Sequence, residues 1–548
     1  MGIIIKKGGS FSYEKLRSTY NLKCRKNFNF GFDIISGKYG KSEKTALISI
    51  EKSSKTFKKI SYKELNENSS KFANALKNLG IEKNDKVLVI LPRIPEWYYC
   101  ILGCSKVGAV AIPCTKMLKA KDIEYRAKKS NAKVIISTSE SSSEINKIKD
   151  NCKSLKYKIL VKDKKDDWYN YDEICNKSDI NFDRNMVPPT KSNDLMLIYF
   201  TSGSTAMPKM VGRDQSYAFS HIITQKYWQD LKSTDIHWTL TDTGWAKAAW
   251  GLLYPPLLAG CTIILYNNDG FDLDEHLEII KKHQVTTFCA PPTIYRLMAQ
   301  SNLANFEVTS LRHCFSAGEP LNPEAMRSWK NATGCDVYDG YGQTETINII
   351  ANFPGMPIKE GSMGRPCPGF EIEIIDDQAN ILQINQIGNI GIKITDPYPP
   401  GLFRGYYQDQ KKTSEVFKNG WYFTGDTATK DKDGYIWFVG RSDDIITSSG
   451  YRISPFEVES TLLEHPNIVE AAVVAKPDKE RGEIVAAYIV LGKNYNGNRK
   501  LKLEIQEFVK NNTAPYKYPR EIIFTKNLPK TISGKIRRID LRNKLIKM

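Results

Sequence analysis

The 548-residue chain lacks the features that mark several large protein classes. Its 11 cysteines form no C-x-x-C pair, and several lie in apolar segments. This argues against a disulfide framework or a zinc site and favours reduced thiols that pack as small hydrophobic side chains. No apolar run reaches the length of a membrane span, since the best candidate, residues 251–266, is interrupted by Pro255 and Pro256. We therefore expect a globular cytoplasmic protein without a membrane span.

Positive charge is in excess, with a formal net charge of +18. Such an excess attracts nucleic acid, anionic membranes or anionic ligands. The abundance of Lys, Asn and Ile also indicates a compositional bias, which would place much of this charge on a solvated surface. A nucleic-acid-binding protein would cluster basic and aromatic residues in a recognisable module. The sequence contains no such module, so we expect no nucleic-acid partner.

The length and patterning of the chain predict two or more domains, because 548 residues exceed one ordinary core. From about residue 62 to residue 290, helical segments alternate with strand-like ones, as in parallel sheets covered by helices. The Lys- and Asp-rich stretch 147–172 is predicted to be a surface excursion. After Phe370, short strands and Gly-rich turns predict a β-rich subdomain. Beyond Arg441, helices and strands predict a small α+β unit.

The most informative stretch is residues 199–209, which follows an apolar run that predicts a buried strand. It contains Thr201, Ser202, Gly203, Ser204, Thr205 and Lys209. Small residues let backbone N–H groups approach phosphate oxygens, hydroxyls add donors, and lysine adds charge. The spacing from Gly203 to Lys209 does not fit a Walker phosphate loop. The stretch predicts an anion-binding turn, and an ordinary polar turn after a strand is the alternative.

Further motifs follow in a fixed order along the chain. They are Gly318-Glu319-Pro320, residues 339–346 (DGYGQTET), 421–426 (WYFTGD), 440–446 (GRSDDII), 448–453 (SSGYRI) and 528–537 (LPKTISGKIR). In this order and with these gaps they resemble the adenylate-forming enzymes, which include acyl-CoA synthetases, adenylation domains and luciferases. The resemblance covers roughly residues 30–545. It is greatest to the medium-chain acyl-CoA synthetases, which residues 513–519 and 242–245 fit best.

The resemblance implies an α/β fold and an ATP-dependent ligase of fatty acid metabolism. A large N-terminal domain of parallel sheets flanked by helices (1–441), with a β-rich subdomain at about 365–441, would precede a small mobile α+β C-terminal domain (442–548). Asp443 would be the hinge. A medium-chain fatty or aromatic carboxylate would attack the α-phosphate of ATP, and the CoA thiol would then attack the acyl-adenylate. Because the substrate is the nucleophile, catalysis is mostly positioning and charge stabilisation.

The resemblance also implies the residues that bind ATP and Mg²⁺. Asp426 would accept hydrogen bonds from both ribose hydroxyls, and Glu345 would hold Mg²⁺. Lys535 would reach the α-phosphate and the attacking carboxylate. The catalytic set is Lys535, Thr344, Glu345 and Arg452. The ATP set is Thr201, Ser202, Gly203, Ser204, Thr205, Lys209, Gly318, Glu319, Pro320, Asp339, Gly340, Tyr341, Gly342, Gln343, Thr344, Asp426, Arg441 and Lys535.

The implied CoA site lies on the C-terminal domain, and the implied acyl pocket lies on the large one. The CoA set is Ser449, Gly450, Tyr451, Arg481, Lys510 and Tyr518, in which Arg481 and Lys510 could equally be surface charges. The pocket set is Trp245, Ala246, Lys247, Ala317 and Gly342. Acetate-specific relatives carry Trp in place of Gly342, so we expect a longer acyl tunnel, in which each buried CH₂ contributes about 0.8 kcal/mol.

Among the departures from the pattern of the family, two bear on function. Ala206 stands where Gly is usual, which would stiffen the loop if that position needs a positive φ. Lys247 lies where relatives carry apolar or small residues. Lys247 either pairs with a polar or second anionic group of the substrate or extends its ammonium group to solvent.

Two other functions compete with a CoA ligase. The first is an acyl-AMP ligase that loads the phosphopantetheine of a carrier protein, against which the C-terminal motifs and the lack of a fused carrier domain argue. The second is an inactive relative, for which Ala206 could be read as decay. The presence of Glu345, Asp426, Arg441 and Lys535 argues against this second alternative.

Overall fold

The computed structural model describes residues 12–51, 56–201, 207–268, 270–299, 308–449, 451–492, 495–530 and 535–547. Within these ranges no helix combines the length and the apolar character that a membrane crossing requires. Three sheets build the large domain, and a fourth builds the C-terminal domain. The predicted fold class is confirmed.

A seven-stranded sheet holds the predicted anion-binding stretch. Its strands, in spatial order, are Tyr169–Asn170, Tyr157–Leu160, Val134–Ser137, Lys86–Ile90, Val110–Pro113, Leu195–Thr201 and Lys209–Asp214. Neighbours are parallel except the last pair, in which Thr201 faces Lys209 across an antiparallel ladder. The predicted stretch is therefore the connection of a hairpin. Its middle, Ser202, Gly203, Ser204, Thr205 and Ala206, lies outside the described residues.

A nine-stranded sheet carries most of the other motifs. Its strands, in spatial order, are Arg365–Pro366, Asn348–Ala351, Val337–Gly342, His313–Ala317, Thr287–Cys289, Ile236–Thr239, Thr262–Asn267, Thr45–Glu51 and Phe57–Ser61. The six strands in the middle of this order, from Val337–Gly342 to Thr45–Glu51, are parallel to one another. Their carboxyl ends meet at one edge, where open α/β sheets bind ligands. The motif Gly318-Glu319-Pro320 begins at this edge, and the motif of residues 339–346 continues past it after Gly342.

Helices cover both sheets, as the alternating pattern predicts. Helix Tyr62–Asn78 begins with a capping box, in which Ser61 and Glu64 bond each other's backbone N–H. Helix Pro95–Val107 is buried on nearly every side and ends at Gly108, whose φ of 81° suits glycine. The other α-helices of the large domain are Tyr13–Ser18, Gly37–Tyr39, Ala120–Ser130, Ser139–Asn146, Tyr171–Asn176, Gln215–Ile223, Ala246–Ala248, Tyr254–Ala259, Leu273–Lys282, Pro292–Ala299, Pro323–Thr333 and Gln410–Val416.

Short 3₁₀ and π segments extend or join these helices. The π segments are Gly31–Ser36, Thr224–Trp228 and Ala249–Leu253, and the 3₁₀ segments of the large domain are Lys149–Asn151 and Arg184–Met186. The π segment Ala249–Leu253 continues the short helix that begins after Trp245.

The β-rich subdomain is an antiparallel five-stranded sheet. Its strands are Ile372–Ile375, Gly388–Lys393, Trp421–Lys430, Phe417–Lys418 and Ile436–Arg441. The long central strand pairs with three neighbours. This sheet carries Asp426 and Arg441 to the ligand-binding edge of the nine-stranded sheet.

The C-terminal domain packs helices on a small mixed sheet. Its strands are Tyr451–Ile453, Ile446–Ser448, Gly482–Leu491, Ile468–Asp478 and Glu521–Phe524, and its helices are Pro455–Leu463, Arg499–Asn512, Pro515–Lys517 and Arg538–Lys547. Arg538 donates two 2.7 Å hydrogen bonds to the carboxylate of Glu459, and Arg542 pairs with Asp444. These ion pairs hold the last helix, which follows Lys535, against the start of the domain.

The prediction that residues 147–172 form a surface excursion is wrong. It contains the strand Tyr157–Leu160, which is largely buried and runs parallel to its neighbour in the seven-stranded sheet. Lys158 is accommodated because its ammonium group lies 5.1 Å from the centre of the Trp168 ring and donates to Asn146 at 3.1 Å. A short strand with a lysine on its buried face does not show a recognisable alternation.

Candidate active site

Asp426 lies in a buried cluster of hydrogen bonds between the β-rich subdomain and the nine-stranded sheet. Its Oδ2 accepts from the hydroxyl of Tyr341 at 2.6 Å and from the side-chain amide of Gln343 at 2.6 Å. The amide of Gln343 is itself oriented by the hydroxyl of Tyr422, which donates to Oε1 at 2.9 Å. The Oδ1 of Asp426 lies 3.4 Å from Arg441 Nε. The structure therefore brings four predicted ATP residues together around one carboxylate.

Glu345 lies in the turn that follows a central strand of the nine-stranded sheet, next to the half-buried Thr344. Its Oε1 accepts from the hydroxyl of Tyr406 at 3.0 Å, and its main-chain oxygen accepts from Arg213 Nη1 at 2.7 Å. The ammonium group of Lys209 lies 4.7 Å from the centre of the Tyr406 ring. The predicted magnesium ligand and the last residue of the anion-binding stretch thus share a neighbour.

Burial raises the pKa of the Glu345 carboxyl, and the hydrogen bond from Tyr406 opposes this shift. A divalent cation would favour the ionised form in the same way as that hydrogen bond does. Carboxylate oxygen is a ligand type that Mg²⁺ accepts, usually together with substrate phosphates. Among the described residues no cluster of three or more His, Cys, Asp or Glu could hold a metal by itself. Glu345 fits a nucleotide-bound Mg²⁺ better than a metal held only by protein.

The two segments predicted to enclose adenine leave neighbouring parallel strands. Gly318 has a φ of 105°, a conformation that other residues rarely adopt, and it is followed by the half-buried Glu319 and Pro320. Asp339 and Gly340 lie on the adjacent strand, where Asp339 Oδ1 accepts from the N–H of Gly340 at 2.9 Å. Burial raises the pKa of the Asp339 carboxyl to about 8. Asp339 is therefore largely protonated at neutral pH.

The predicted pocket residues Trp245, Ala246, Lys247 and Ala317 meet at the carboxyl ends of the central strands. Trp245 is the N-cap of the short helix that contains Ala246 and Lys247. The ammonium group of Lys247 donates to the main-chain oxygen of Ala317 at 3.4 Å. Ala317 ends its strand and is buried. Because the other residues of this short helix are alanines, Lys247 is its longest side chain at this edge of the sheet.

Gly342 has a local reason to be glycine, apart from its predicted place in the acyl pocket. A Cβ at this position would lie 2.4 Å from the main-chain oxygen of Ile347, where the ladder with the next strand is irregular. A side chain at Gly342 would require the backbone to move. The prediction of a longer acyl tunnel stays a prediction.

Lys535 acts electrostatically on the large domain. Burial lowers the pKa of Lys247, and the positive charge of Lys535 lowers it further, while Glu319 acts in the opposite direction. The C-terminal lysine therefore lies near the predicted acyl and adenine segments. Asp443, the predicted hinge, is exposed, and its carboxylate lies 4.0 Å from Arg441 Nε.

The predicted CoA residues form two groups on the C-terminal domain. The N–H of Ser449 donates to the main-chain oxygen of Arg481 at 2.9 Å, and Arg481 Nη1 donates to Ser449 Oγ at 3.3 Å. In the second group, the ammonium group of Lys510 lies 4.6 Å from the centre of the Tyr518 ring. Arg452 lies on the strand Tyr451–Ile453 with its backbone paired to that of Thr447.

Tyr451, another predicted CoA residue, stacks on a tyrosine that sequence reasoning missed. Its ring centre lies 4.2 Å from that of Tyr516, at an interplanar angle of 17°. The two side chains are 52% and 40% exposed. The pair forms an exposed aromatic surface, and Gly450, which precedes Tyr451 in the sequence, lies outside the described residues.

Arg213, Tyr406 and Tyr422 are further site residues that sequence reasoning missed. Arg213 had a signal, since an arginine at a buried position of the strand Lys209–Asp214 needs acceptors nearby. Tyr406 and Tyr422 had none, because each is more than 50 residues from the side chain that it contacts.

Comparison with known proteins identifies the family to which this arrangement belongs. The sequence profile of the AMP-binding enzymes matches residues 38–407, and that of the C-terminal domain of AMP-binding enzymes matches residues 457–535. The chain belongs to the AMP-binding enzyme family. Its relatives include the protein named acyl-coenzyme A synthetase ACSM3, mitochondrial, of Rattus norvegicus, at 42% identity over 97% of this chain and 93% of the relative. The corresponding ACSM4 of Homo sapiens is 42% identical over 95% and 91%.

A solved structure of an anthranilate CoA ligase in complex with anthranoyl-AMP superposes with a TM-score of 0.88. It is 28% identical and the match covers 96% of this chain and 98% of that one. The predicted family, fold class and enzyme class, an AMP-forming acyl-CoA synthetase, are confirmed by these matches. ATP and CoA as small-molecule substrates fit the family.

The predicted cytoplasmic location is wrong, because the relatives are named as mitochondrial proteins. Reduced cysteines indicate a compartment that keeps thiols reduced, and they do not specify which one. The 10 buried and one half-buried free cysteines among the described residues are explained by packing as small hydrophobic side chains.

Proposed function

We propose that the chain activates a medium-chain fatty or aromatic carboxylic acid with ATP and transfers the acyl group to CoA in mitochondria. A carboxylate oxygen attacks the α-phosphorus and pyrophosphate leaves. The CoA sulfur then loses its proton and attacks the acyl carbon, and AMP leaves. The printed names of the relatives and of the anthranilate CoA ligase support this choice of acids and compartment.

The proposal for the first half-reaction rests on the proximity of Lys535 to the large domain. Its charge acts on Lys247, on which Glu319 and Asp339 also act. A cation of the C-terminal domain thus lies among the residues that the family resemblance assigns to adenine and acyl binding. There it would stabilise the negative charge that the α-phosphate and the attacking carboxylate share in the transition state.

The buried carboxylates support the binding of ATP. Asp426 would accept the ribose hydroxyls through the Oδ1 that faces Arg441, because Tyr341 and Gln343 already bond its Oδ2. Glu345 would hold Mg²⁺, which neutralises phosphate charge when bound. Lys209 would attract the β- and γ-phosphates from the end of the hairpin.

The exposed residues of the C-terminal domain support the second half-reaction. We infer that this domain turns about Asp443 after adenylation, so that Lys535 leaves and the Gly450 region enters. Arg481 and Lys510 would then contact CoA phosphates, and the stacked Tyr451 and Tyr516 offer an aromatic surface for a base.

Pyrophosphate release across a panel of straight-chain and aromatic acids, with and without CoA, tests the proposal. We expect acid-dependent release, and acyl-CoA formation only when CoA is added. The absence of acid-dependent release would contradict the enzyme proposal. Release without thioester formation would favour the carrier-protein alternative.

A further inference from the structure

Four aromatic side chains pack together next to the two carboxylates that are proposed to bind the nucleotide and its metal. They lie before helix Gln410–Val416 and on two paired strands of the β-rich subdomain, and they are Phe403, Tyr406, Phe417 and Tyr422. The ring centre of Phe403 lies 5.1 Å from that of Tyr406 and 5.3 Å from that of Tyr422, at interplanar angles of 73° and 74°. In this set, the aromatic cluster, Phe403 therefore meets both tyrosines in the edge-to-face geometry that aromatic pairs prefer.

The two hydroxyl groups of the aromatic cluster act on different parts of the nucleotide site. Tyr406 donates to Glu345 Oε1 at 3.0 Å, whereas Tyr422 donates to Gln343 Oε1 at 2.9 Å. Phe403 adds a main-chain contact, since its N–H donates to the main-chain oxygen of Glu345 at 2.8 Å. One buried cluster thus contacts the proposed metal ligand directly and the proposed ribose ligand through Gln343.

The side-chain amide of Gln343 has a partner for each of its polar atoms. Its NH₂ group donates to Asp426 Oδ2 at 2.6 Å and to the main-chain oxygen of Thr424 at 2.9 Å. A carboxylate and a carbonyl can only accept, so this arrangement fixes which end of the amide faces Asp426. The other end, Oε1, must then accept, and the hydroxyl of Tyr422 is its donor. Without that hydroxyl, Gln343 would hold Asp426 less firmly.

We propose that the aromatic cluster positions both carboxylates of the nucleotide site. Tyr422 acts on Asp426 through Gln343 and thereby sets the selectivity for a nucleotide that carries both ribose hydroxyls. Tyr406 acts on Glu345 and thereby sets how strongly the site holds ATP with its Mg²⁺. The inference rests on the proposed function, because it takes Asp426 as the ribose ligand and Glu345 as the metal ligand.

Nucleotides that lack one ribose hydroxyl test the role of Tyr422. The probes are ATP, 2′-deoxy-ATP and 3′-deoxy-ATP, compared by acid-dependent pyrophosphate release. In the wild type we expect kcat/KM for ATP to exceed that for at least one deoxy analogue about tenfold or more, because a site that bonds a hydroxyl rejects the analogue without it. Tyr422→Phe should reduce this ratio at least about threefold, since a less firmly held Asp426 bonds more weakly to a hydroxyl that only ATP has.

Calorimetric binding of ATP, with Mg²⁺ or with EDTA, tests the role of Tyr406 without recourse to activity. Tyr406→Phe should raise the Kd for ATP with Mg²⁺ at least about threefold and leave the Kd in EDTA unchanged, because Glu345 would hold the nucleotide through the metal. Tyr422→Phe should raise both values alike, since the ribose contact does not need the metal.

Phe403→Leu tests the aromatic cluster itself. It keeps both hydroxyl groups and removes the ring that both tyrosines contact. We expect the nucleotide ratio to fall and the Kd for ATP with Mg²⁺ to rise, each on the order of twofold, which is the low end of what an aromatic pair contributes.

Tyr435 provides the matched control. It is buried in the same subdomain, and its hydroxyl donates to the main-chain oxygen of Pro357 at 2.6 Å. It lies beyond the end of the strand pair opposite to the one where Asp426 faces Arg441. Tyr435→Phe removes a comparable hydrogen bond, so it could lower the thermal unfolding midpoint, but it should change neither the nucleotide ratio nor the effect of Mg²⁺.

The outcomes separate this inference from the proposed function. A wild-type nucleotide ratio in Tyr422→Phe overturns the role of Tyr422, and equal weakening of both forms of ATP in Tyr406→Phe overturns that of Tyr406. The same changes in Tyr435→Phe would reduce both roles to general stability and overturn the inference.

Two results with the wild type would instead contradict the proposed function. If the wild type accepts both deoxy analogues as well as ATP, Asp426 is not the ribose ligand, and the inference fails with that assignment. If no acid releases pyrophosphate, the enzyme proposal itself fails. If Tyr422→Phe does not fold, Phe403→Leu decides, and an unchanged nucleotide ratio in that variant overturns the inference.

Discussion

The edge of the large domain that is proposed to bind the nucleotide and the surface of the C-terminal domain that is proposed to bind CoA are built differently. On the nucleotide side, Asp426 and Glu345 are buried, and each carboxylate is held by hydroxyl or amide donors. On the CoA side, Tyr451 and Tyr516 are exposed and stack on each other. One region is fixed before its ligand binds, and the other is presented on a surface.

This difference corresponds to the chemistry that each region is proposed to perform. Charge that develops on a phosphate is stabilised most by groups already fixed in a water-excluded site. A large co-substrate that must enter after pyrophosphate has left needs an accessible surface, which domain movement then brings to the acyl-adenylate. Lys535 connects the two regions, because it belongs to the C-terminal domain and acts on Lys247 of the large one.

Lys535→Ala tests this connection and should have the largest effect. We expect adenylation to fall roughly 10²- to 10³-fold, the loss typical for removing one group that stabilises transition-state charge. Thioester formation from supplied acyl-adenylate should persist, because the proposed domain movement takes Lys535 out of the site before that step. Pyrophosphate release measures the first half-reaction and acyl-CoA formation the second.

Lys544→Ala is the control, since Lys544 is exposed on the last helix. It should leave both half-reactions unchanged. An equal loss of both half-reactions in Lys535→Ala would contradict the proposed domain movement and would place Lys535 in a single fixed site.

The nucleotide side also shows which contacts a sequence can predict. Tyr341, Gln343, Asp426 and Arg441 were predicted by motifs, and the structure gathers them around one carboxylate. The β-rich subdomain that carries Asp426 and Arg441 was predicted as well, from its short strands and Gly-rich turns.

Contacts that depend on how distant elements pack could not be predicted. Tyr406 lies 61 residues from Glu345 in a segment without a motif, and only the fold brings its hydroxyl to the carboxylate. In the sequence, nothing distinguishes Tyr516 from other tyrosines. It lies in a short 3₁₀ turn, and only the fold of the C-terminal domain stacks it on Tyr451. The strand Tyr157–Leu160 was missed because Lys158 breaks its pattern. A residue whose role depends on a spatial neighbour far away in the sequence cannot be recognised from the sequence pattern around it.

Arg481→Ala tests the CoA side and should have a smaller effect than Lys535→Ala. Losing one charge-assisted hydrogen bond costs roughly 1.5–3 kcal/mol, so KM for CoA should rise on the order of tenfold or more. CoA-independent pyrophosphate release should not change. Lys500→Ala is the control, because Lys500 is exposed on the same domain. A parallel loss of pyrophosphate release would show that Arg481 serves the fold or the nucleotide side instead.

Asp339→Asn tests the effect of burial on a carboxyl group of the nucleotide side. It should change the stability of the fold more than the activity. Burial raises the pKa of the folded-state Asp339 carboxyl from 3.8 to about 8. The folded state therefore holds a proton that the unfolded chain releases, so stability should fall as pH rises between about 4 and about 8, by up to ~1.4 kcal/mol per pH unit. Asparagine keeps the shape without the proton, so it should remove this loss.

The thermal unfolding midpoints of wild type and Asp339→Asn, compared at several pH values, measure this effect. The unfolding midpoint of Asp339→Asn should exceed that of the wild type least near pH 4 and most near pH 8. Over this window the free energy needed to keep the buried wild-type carboxyl protonated, or to ionise it in the fold, rises with pH. Asp336→Asn is the control, since Asp336 is half-exposed and pairs with Lys330 at 2.7 Å. If the Asp339→Asn midpoint follows the wild type at every pH, Asp339 is ionised in the fold.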